Sequence, residues 1–246
     1  MSRWVLKGIG TGIKTTAYPR RPESAAGVTP GLPVGGEVGA EASSLARRCP
    51  VHALEDARGV VSVNYRRCVH CFRCVRGVAR PLGWEIAHEW AGLAAEARGR
   101  DTLGQPFSHS VHILVVDAGD CGACLNEVKQ LNNPYYNMHR LGFFITPTPR
   151  HADVLLVVGA VTDHMRVALR KTYEAMPTPK RVIAVGACAL SGGVFAESFV
   201  CAKGAAVILP VDVEVPGNPP PPLAILHGLL VAVGRKSPAK LVSPSL

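Results

Sequence analysis

Apolar and polar residues follow two different patterns in the second half of the chain. From residue 111 onward, short runs of consecutive apolar residues are separated by longer segments in which apolar residues recur every three or four positions. This pattern predicts strands at 111–116, 153–159, 181–186 and 205–209, and helices at 121–131, 163–175, 193–203 and 223–233. Buried strands that alternate with helices indicate an α/β fold, a doubly wound parallel sheet with helices on both faces.

The first 110 residues lack this regularity. Gly, Pro and basic residues dominate 1–45, which we expect to be an extended basic arm that wraps a partner. Residues 46–89 hold a cysteine-rich α+β module, in which Val61, Val63 and Tyr65 alternate with polar residues and predict a small hairpin strand. We predict a linker at 90–110, the main domain at 111–234 and a flexible tail at 235–246.

The hydropathy of the chain argues against a membrane-spanning segment. Hydrophobic residues make up 48% of the sequence, but no apolar run approaches the roughly 18 residues needed to cross a bilayer. The basic N-terminal segment also lacks the apolar stretch of a signal peptide. We therefore expect a protein without a direct membrane span that stays on the cytoplasmic side, where it is made.

Positive charge is concentrated in the first part of the chain. The formal net charge is +9, and residues 1–100 hold 15 Lys and Arg against 8 Asp and Glu. Such a surface suits nucleic acid, an anionic membrane or an acidic partner. Four arginines, however, flank a run of cysteines: Arg66, Arg67, Arg73 and Arg76. Because a cluster held by four thiolates carries negative charge, these guanidinium groups favour an anion inside the protein.

Eight cysteines in a chain expected in the cytoplasm are better explained as ligands than as disulfides. Along the chain they fall into groups: Cys49; Cys68, Cys71 and Cys74; Cys121 and Cys124; Cys188; Cys201. We expect Cys201 to be a buried packing residue, because free cysteine commonly behaves as a small hydrophobic side chain.

The first group has the spacing of a ferredoxin half. In two-cluster ferredoxins, each 4Fe-4S cluster takes three ligands from a C-x2-C-x2-C run and the fourth from a distant Cys-Pro. Here Cys68, Cys71 and Cys74 form one such run, and Cys49-Pro50 supplies a lone Cys-Pro. These four residues therefore predict one 4Fe-4S cluster, with a structural zinc site as the main alternative. His52 and His70 are expected at the surface.

The second group follows predicted strands. Cys121 and Cys124 come after the first strand, Cys188 comes after the third, and the loop 215–219 comes after the fourth. Doubly wound sheets place their sites at the carboxyl ends of strands, so these segments should meet. Neighbouring glycines can turn backbone N–H groups towards sulfur. A zinc site or a redox dithiol would also fit the C-x2-C pair alone.

Several motifs carry a family resemblance. They are Gly119–Glu127, Asn133-Pro-Tyr-Tyr, Thr148-Pro-Arg-His-Ala-Asp153, Val185-Gly-Ala-Cys188, Ser191-Gly-Gly-Val-Phe195 and Pro210-Val-Asp-Val-Glu-Val-Pro216-Gly217. Together they resemble the small subunit of energy-converting nickel–iron hydrogenases such as formate hydrogenlyase, and the similar complex I 20 kDa subunit. The segment 11–19 is similar to the start of the ferredoxin-type subunit of the same complexes, so two subunits look fused in one chain.

The resemblance implies a flavodoxin-like fold and an electron-transfer role without catalytic residues of its own. Cys121, Cys124 and Cys188 match three cluster ligands of the family, and Glu127 matches an acidic residue near that cluster. Asn218 replaces the fourth cysteine, so a second iron–sulfur cluster could be 4Fe-4S, altered or missing. The implied partners are a hydrogenase-like large catalytic subunit and membrane subunits, with the chain peripheral on the inner face of the cell membrane.

Two alternatives remain open from the sequence. The small-subunit fold could be a scaffold that uses only the ferredoxin cluster. A basic, zinc-stabilised nucleic-acid-binding protein is the other alternative, which the sequence pI of about 9.4 favours. Aromatic residues are only 6% of the chain, too few for obvious base-stacking surfaces, so we expect no nucleic-acid partner.

Overall fold

The computed structural model describes residues 2–21, 23, 31–97, 103, 107, 109–195 and 198–239. Its N-terminal part contains two short helices and five short strands: α1 Arg3–Thr11, β1 Leu32–Val34, β2 Gly36–Glu37, α2 Ala42–Arg48, β3 Leu54–Ala57, β4 Val60–Val63 and β5 Gly83–Glu85. Strands β2, β4 and β3 form an antiparallel sheet in that order, and β1 pairs with β5. The predicted hairpin strand at 61–65 thus corresponds to β4.

The larger part alternates strands and helices. Its elements are β6 Gly92–Leu93, β7 Val111–Asp117, α3 Ala123–Gln130, β8 Phe143–Ile145, β9 Val154–Val158, α4 Asp163–Ala175, β10 Arg181–Val185, α5 Ala187–Ser191, β11 Val213–Val215 and α6 Pro222–Ala232. They form one six-stranded sheet in the order β6-β11-β10-β9-β7-β8.

The order of the parallel strands defines the fold class. Strands β7 to β11 run parallel to one another, and only the edge strand β6 is antiparallel, to β11. Numbered among themselves along the chain, the five parallel strands run 2-1-3-4-5 across the sheet, which is the flavodoxin-like order. The predicted α/β, doubly wound parallel sheet is therefore confirmed.

The sheet is buried on both faces because its central strands are apolar throughout. On β9, Val154, Leu156 and Val158 face a core shared with α3 and α6, whereas Leu155 and Val157 face a second core that contains Leu169 of α4. All eleven residues of α6 are buried. Consecutive apolar residues with alternating directions produce this two-sided packing.

The N-terminal part packs against the larger part as well as on its own small core. Val38, Leu45, Leu54 and Val61 belong to a separate cluster between α2 and the β2-β4-β3 sheet. Tyr18, Leu32 and Trp90 instead belong to the main core, which also contains the residues of α6.

Some predicted elements are wrong. The predicted helix 193–203 is not formed in its described residues, because α5 ends at Ser191 and both Gly192 and Gly193 have positive φ. The predicted strand 205–209 is a 3-10 turn at Ala205–Val207, and β11 occupies the sheet position next to β10. The expected extended arm contains the helix α1 and the paired strand β1.

The predicted segment boundaries are not all visible as structural breaks. Within the predicted linker 90–110, β6 pairs with β11 at the edge of the main sheet. Residues 240–246 of the predicted tail lie outside the described residues. The division into an arm, a half-ferredoxin module and a main domain stays a prediction.

Candidate metal centres

The four cysteines of the first group line one cavity, although they come from two separate segments. Cys49 immediately follows α2, while Cys68, Cys71 and Cys74 lie in the loop after β4. The walls of the cavity are mostly apolar and include Val51, Leu54, Phe72 and Trp84. The hairpin β3–β4 brings the two segments together, because it runs from the end of the Cys49 loop to the start of the Cys68 loop.

The environment of these sulfurs disfavours free thiolates. Burial raises the pKa of Cys68 to about 12, with further contributions from Cys74, Cys49 and Cys71, while the backbone N–H of His70 lowers it. Burial also raises the pKa of Cys74. The Ala53 N–H lies 3.2 Å from Cys49 Sγ and donates to it. Several buried sulfurs at one point are stabilised as thiolates when cationic iron is bound between them.

The loop around Cys71 has an unusual backbone. His70 and Phe72, on either side of Cys71, have φ of 52° and 60°, a left-handed conformation that costs non-glycine residues about 1–2 kcal/mol each. Side-chain packing offsets this cost. The Phe72 ring stacks on Trp84 with 4.4 Å between centroids, and the Arg76 guanidinium lies 5.0 Å above the Phe72 ring.

His70 differs from its predicted surface position. Its Nε2 atom is buried and has no hydrogen-bond partner among the described residues, and burial lowers the pKa of the imidazole to about 4. The ring lies edge-on to Trp84 and Trp90, with centroid distances of 6.0 and 6.5 Å. His52, by contrast, is exposed as expected. A short apolar loop that folds back on two tryptophans accounts for the difference.

The second group lies at the carboxyl edge of the main sheet. Cys121 and Cys124 follow β7, and Cys188 is the second residue of α5, directly after β10. Cys124 and Cys188 are buried, whereas Cys121 is exposed. Burial raises the pKa of both Cys124 and Cys188, and Asp120 and Cys121 add to the shift in each case. The three sulfurs are therefore close enough to influence one another.

Two glycines leave room for these sulfurs. A Cβ atom at Gly186 would lie 2.5 Å from Cys124 Sγ, and one at Gly193 would lie 2.7 Å from Cys188 Sγ. Glycine also suits these positions because their φ values are 88° and 57°. The small residues noted in the sequence thus allow the close approach of the loops that carry Cys124 and Cys188.

Asn218 lies in the loop after β11, beside the second group. Its side-chain amide donates to the Val69 carbonyl at 3.4 Å, and Val69 is part of the Cys68–Cys71 loop. Cys201 is buried in one small cluster with Ala160 and Cys188, as expected for a packing residue. The second group therefore offers three neighbouring thiols and, beside them, the Asn218 amide, whose N–H is hydrogen-bonded to the other cysteine loop.

The two groups of cysteines lie on loops that contact each other. Ser191, three residues after Cys188, donates to the Arg66 carbonyl at 3.0 Å. Arg66 Nη2 also lies 2.9 Å from Glu214 Oε1, next to the end of β11. Trp90 Nε1 donates to the Pro216 carbonyl at 2.7 Å. Sequence reasoning missed these contacts, because each of them joins segments more than 100 positions apart.

The donor set of the first group fits an iron–sulfur cluster. Four thiols surround one cavity, backbone N–H groups point at two of the sulfurs, and a histidine with a buried, unpartnered ring nitrogen lines the same space. A cubane binds each thiolate on a different iron, so its ligands surround a volume. In the part of the chain that is described, no three His, Cys, Asp or Glu side chains converge closely enough to hold one metal ion.

The donor set of the second group is one thiolate short. Soft thiolates are the usual ligands of cluster iron, whereas the Asn218 amide oxygen is a neutral, hard donor.

No helix in the described residues is long and apolar enough to cross a membrane.

Comparison with known proteins identifies the larger part of the chain. Residues 121–232 match the family described as "NADH ubiquinone oxidoreductase, 20 Kd subunit". The "Probable membrane-bound hydrogenase subunit mbhJ" of Pyrococcus furiosus is 45% identical over 129 residues, which are 52% of this chain and 77% of that protein. An NADH-quinone oxidoreductase subunit of Carboxydothermus hydrogenoformans is 45% identical over 108 residues, which are 44% of this chain and 65% of that protein.

A further relative is "Formate hydrogenlyase subunit 7" of Escherichia coli, which is 39% identical over 133 residues. This match covers 54% of the chain and only 52% of the relative, so the chain spans about half the length of that protein. The named relatives are thus subunits of hydrogenases, formate hydrogenlyase and NADH–quinone oxidoreductases. Because it matches the family model and covers 77% of the Pyrococcus furiosus relative at 45% identity, this chain belongs to the family of the 20 kDa subunit of NADH–ubiquinone oxidoreductase.

Proposed function

We propose that the chain is an iron–sulfur electron-transfer subunit of a membrane-associated hydrogenase or complex I-like assembly. The names of its relatives support the class of assembly, and the two cysteine groups support the cofactor. A bound cluster supplies reversible one-electron chemistry. The chain's own residues hold the cluster, exclude water from it and position it against the neighbouring site.

One observation carries the proposal: Cys49, Cys68, Cys71 and Cys74 line a single, largely apolar cavity. Three ligands from a C-x2-C-x2-C run and one from a remote Cys-Pro are the ligand set of one ferredoxin cluster. We therefore assign a 4Fe-4S cluster to these four residues. The N-terminal module would then be half of a ferredoxin, fused to the 20 kDa-type domain.

The contacts between the two cysteine loops support a relay within one chain. Ser191 binds the Arg66 carbonyl and Asn218 binds the Val69 carbonyl, so the loop of the first cluster rests on the edge of the main sheet. A cluster held by Cys121, Cys124 and Cys188 would lie beyond this contact, at the carboxyl edge of the main sheet where doubly wound folds place their ligands.

The proposed partners follow from the family and from the surface. A hydrogenase-like large catalytic subunit would take the electrons, and membrane subunits would hold the assembly on the inner face of the cell membrane. An apolar surface beside the second group is available for such contacts, because Val194, Phe195 and Phe199 are exposed. We assign no catalytic residue to this chain.

Anaerobic purification of the full chain with its partners tests the proposal. We expect a brown protein whose broad visible absorbance falls on reduction, with iron and sulfide in equal amounts and at least four of each per chain. Replacement of Cys49 by Ser should remove the cluster or convert it to a three-iron form visible by EPR. Cys201→Ser is the control at a cysteine outside the first group and should keep the EPR signal of the first cluster.

Two results would contradict the proposal. Colourless protein with stoichiometric zinc and affinity for nucleic acid would favour the zinc-stabilised binding protein. An unchanged four-iron EPR signal in Cys49→Ser would show that this cysteine is not a ligand.

A scaffold that uses only the first cluster is the second candidate. The ligand set of the second group favours it, because Asn218 offers only a neutral, hard amide oxygen beside the three thiols. Four irons per chain in wild-type protein, with no change in Cys121→Ser, would support this candidate over the relay.

A further inference from the structure

His70 lines the first cavity, and the role of its polar side chain is not explained by any contact described above. It lies between Cys68 and Cys71 and lines the same cavity as the four cysteines. Its Nε2 atom is buried, and no described residue offers it a hydrogen bond. A buried polar nitrogen without a partner is destabilising and rare in folded proteins, so such a group needs an explanation.

The surroundings of His70 fix the plane of its ring. Trp84 and Trp90 meet the imidazole edge-on, at interplanar angles of 76° and 86°. Trp90 is itself held by the hydrogen bond from its Nε1 to the Pro216 carbonyl at 2.7 Å. The ring is thus restrained on two sides by rigid aromatic groups, and its backbone is held in the left-handed region.

The chemistry of the cavity supplies the missing partner. The sulfurs of an iron–sulfur cluster accept hydrogen bonds and donate none, so they match an imidazole that carries its proton on Nε2. Four cysteines already provide the usual ligands, so a nitrogen–iron bond from His70 would be superfluous. A donor to sulfur stabilises the reduced, more negative cluster over the oxidised one.

We propose that His70 donates an Nε2–H hydrogen bond to a sulfur of the cluster held by Cys49, Cys68, Cys71 and Cys74, and so raises the reduction potential of that cluster. This inference rests on the cluster proposed above. His70 acts through the cluster sulfur and is a positioning residue, since it neither binds iron nor carries the electron.

The test compares His70→Phe with His70→Gln in the anaerobically purified protein. Phe keeps a planar ring between the two tryptophans but removes the donor, whereas Gln keeps an N–H group of similar reach. We expect His70→Phe to retain its iron and sulfide and to show a lower midpoint potential in an EPR-monitored redox titration. His70→Gln should lie closer to wild type, and the control His52→Gln, at an exposed position, should have the wild-type potential.

Two outcomes separate this inference from the proposed function. Wild-type protein without iron and sulfide would refute the cluster itself. Fully loaded His70→Phe with an unchanged midpoint potential would refute the hydrogen bond alone.

Pulsed EPR of wild-type protein decides the matter if His70→Phe loses its cluster. With histidine labelled by heavy nitrogen, the cluster signal should show coupling to a histidine nitrogen and to an exchangeable proton. Absence of both couplings would overturn the inference.

Discussion

The side-chain amide of Asn218 lies 3.4 Å from the carbonyl oxygen of Val69 and donates a hydrogen bond to it. This contact joins the loop after β11 to the loop between Cys68 and Cys71, 149 positions earlier in the chain. It places Asn218, the residue predicted to replace a family cysteine, in contact with the loop of the other cysteine group. Asn218 therefore belongs to the boundary between the two candidate sites, where a change of side chain can be detected in both.

Asn218→Cys is expected to complete the second group. A fourth soft ligand beside Cys121, Cys124 and Cys188 should raise the iron content to about eight per chain, the content of two cubanes, and simplify the EPR spectrum. Asn218→Ala removes the hydrogen bond to Val69 without adding a thiolate, so it should alter the signal of the first cluster without a gain in iron. Iron and sulfide analysis and EPR measure both effects.

One result would show that Asn218 does not weaken iron binding at the second group. Wild-type protein that already holds two stable four-iron clusters, and that Asn218→Ala leaves unchanged, would mean that the missing thiolate has no consequence.

Gly186→Ala tests whether the missing side chain at Gly186 is needed to accommodate Cys124 Sγ. Gly186 and Gly122 both have φ near 90°, but Gly186 has ψ of 155°, a conformation almost restricted to glycine, whereas Gly122 has ψ of -17° and is left-handed. From backbone strain alone, alanine should therefore cost about 1–2 kcal/mol of unfolding free energy at Gly122 and about 1–3 kcal/mol at Gly186. Only at Gly186 would the new Cβ also lie 2.5 Å from Cys124 Sγ, since Gly122 has no atom within 4 Å of that point. This contact should add about 1–3 kcal/mol and displace the sulfur.

Urea denaturation and iron analysis distinguish the two glycine variants. We expect Gly122→Ala to be the milder one and to keep the iron content of wild type. Retention of the wild-type iron content by Gly186→Ala would show that backbone strain alone accounts for the requirement for glycine beside Cys124, because a displaced Cys124 sulfur should lose iron.

The Arg66–Glu214 ion pair makes the stability of the folded protein depend on pH, and the sign of this dependence follows from the pKa shift of Glu214. Burial raises the pKa of Glu214 above its ordinary value, and Arg66 opposes this effect. In the pH range between the ordinary and the raised value, the folded protein binds more protons than the unfolded chain, so stability falls as pH rises. Glu214→Gln removes this titration and should flatten the decline of Tm between pH 4.5, the ordinary carboxyl value, and neutrality.

Glu174→Gln provides the control for this measurement. Glu174 is on the surface of α4, and its hydrogen bond with Lys171 lowers its pKa, so its small contribution has the opposite sign. A wild-type Tm profile that Glu214→Gln leaves unchanged would mean that Arg66 fully compensates the buried carboxylate.

The success of the sequence predictions depended on the length of each element. The strands at β7, β9 and β10 have five to seven residues with mostly apolar side chains, and the helix predicted at 163–175 has the bounds of α4. β8 and β11 have only three residues each, too few for a periodic signal, and their positions depend on pairing with β7 and β10.

The site was predictable only in part for a related reason. Cysteine spacing along the chain indicated both groups, and glycine placement indicated the close approach beside Cys188. The role of Asn218 towards Val69, the ion pair of Arg66 with Glu214 and the burial of His70 come from long-range packing, which leaves no local pattern in the sequence.

The helix α1 provides a testable membrane contact. Trp4, Leu6 and Ile9 are largely exposed, and none of the nine residues of α1 is buried. With about 3.6 residues per turn, Arg3 and Lys7 are neighbours on one side of the helix, Ile9 lies opposite Lys7, and Trp4 and Leu6 lie on the two flanks. No acid occurs before Glu23. A short amphipathic helix with cations on its polar face suits the surface of an anionic bilayer, with its apolar side chains in the headgroup region.

We expect the full chain to co-sediment with vesicles that contain anionic lipid, more strongly at low salt than at high salt. Trp4→Asp with Ile9→Asp should abolish this binding, and Lys7→Gln should weaken it about fivefold, since each cation near such a surface contributes about 1 kcal/mol. Val167→Asp is the matched control, because Val167 is equally exposed but lies on α4.

Point substitutions are preferable to removal of residues 1–21, because Tyr18 is fully buried in the main core. Binding that survives in the double variant would instead make α1 a contact for a partner subunit.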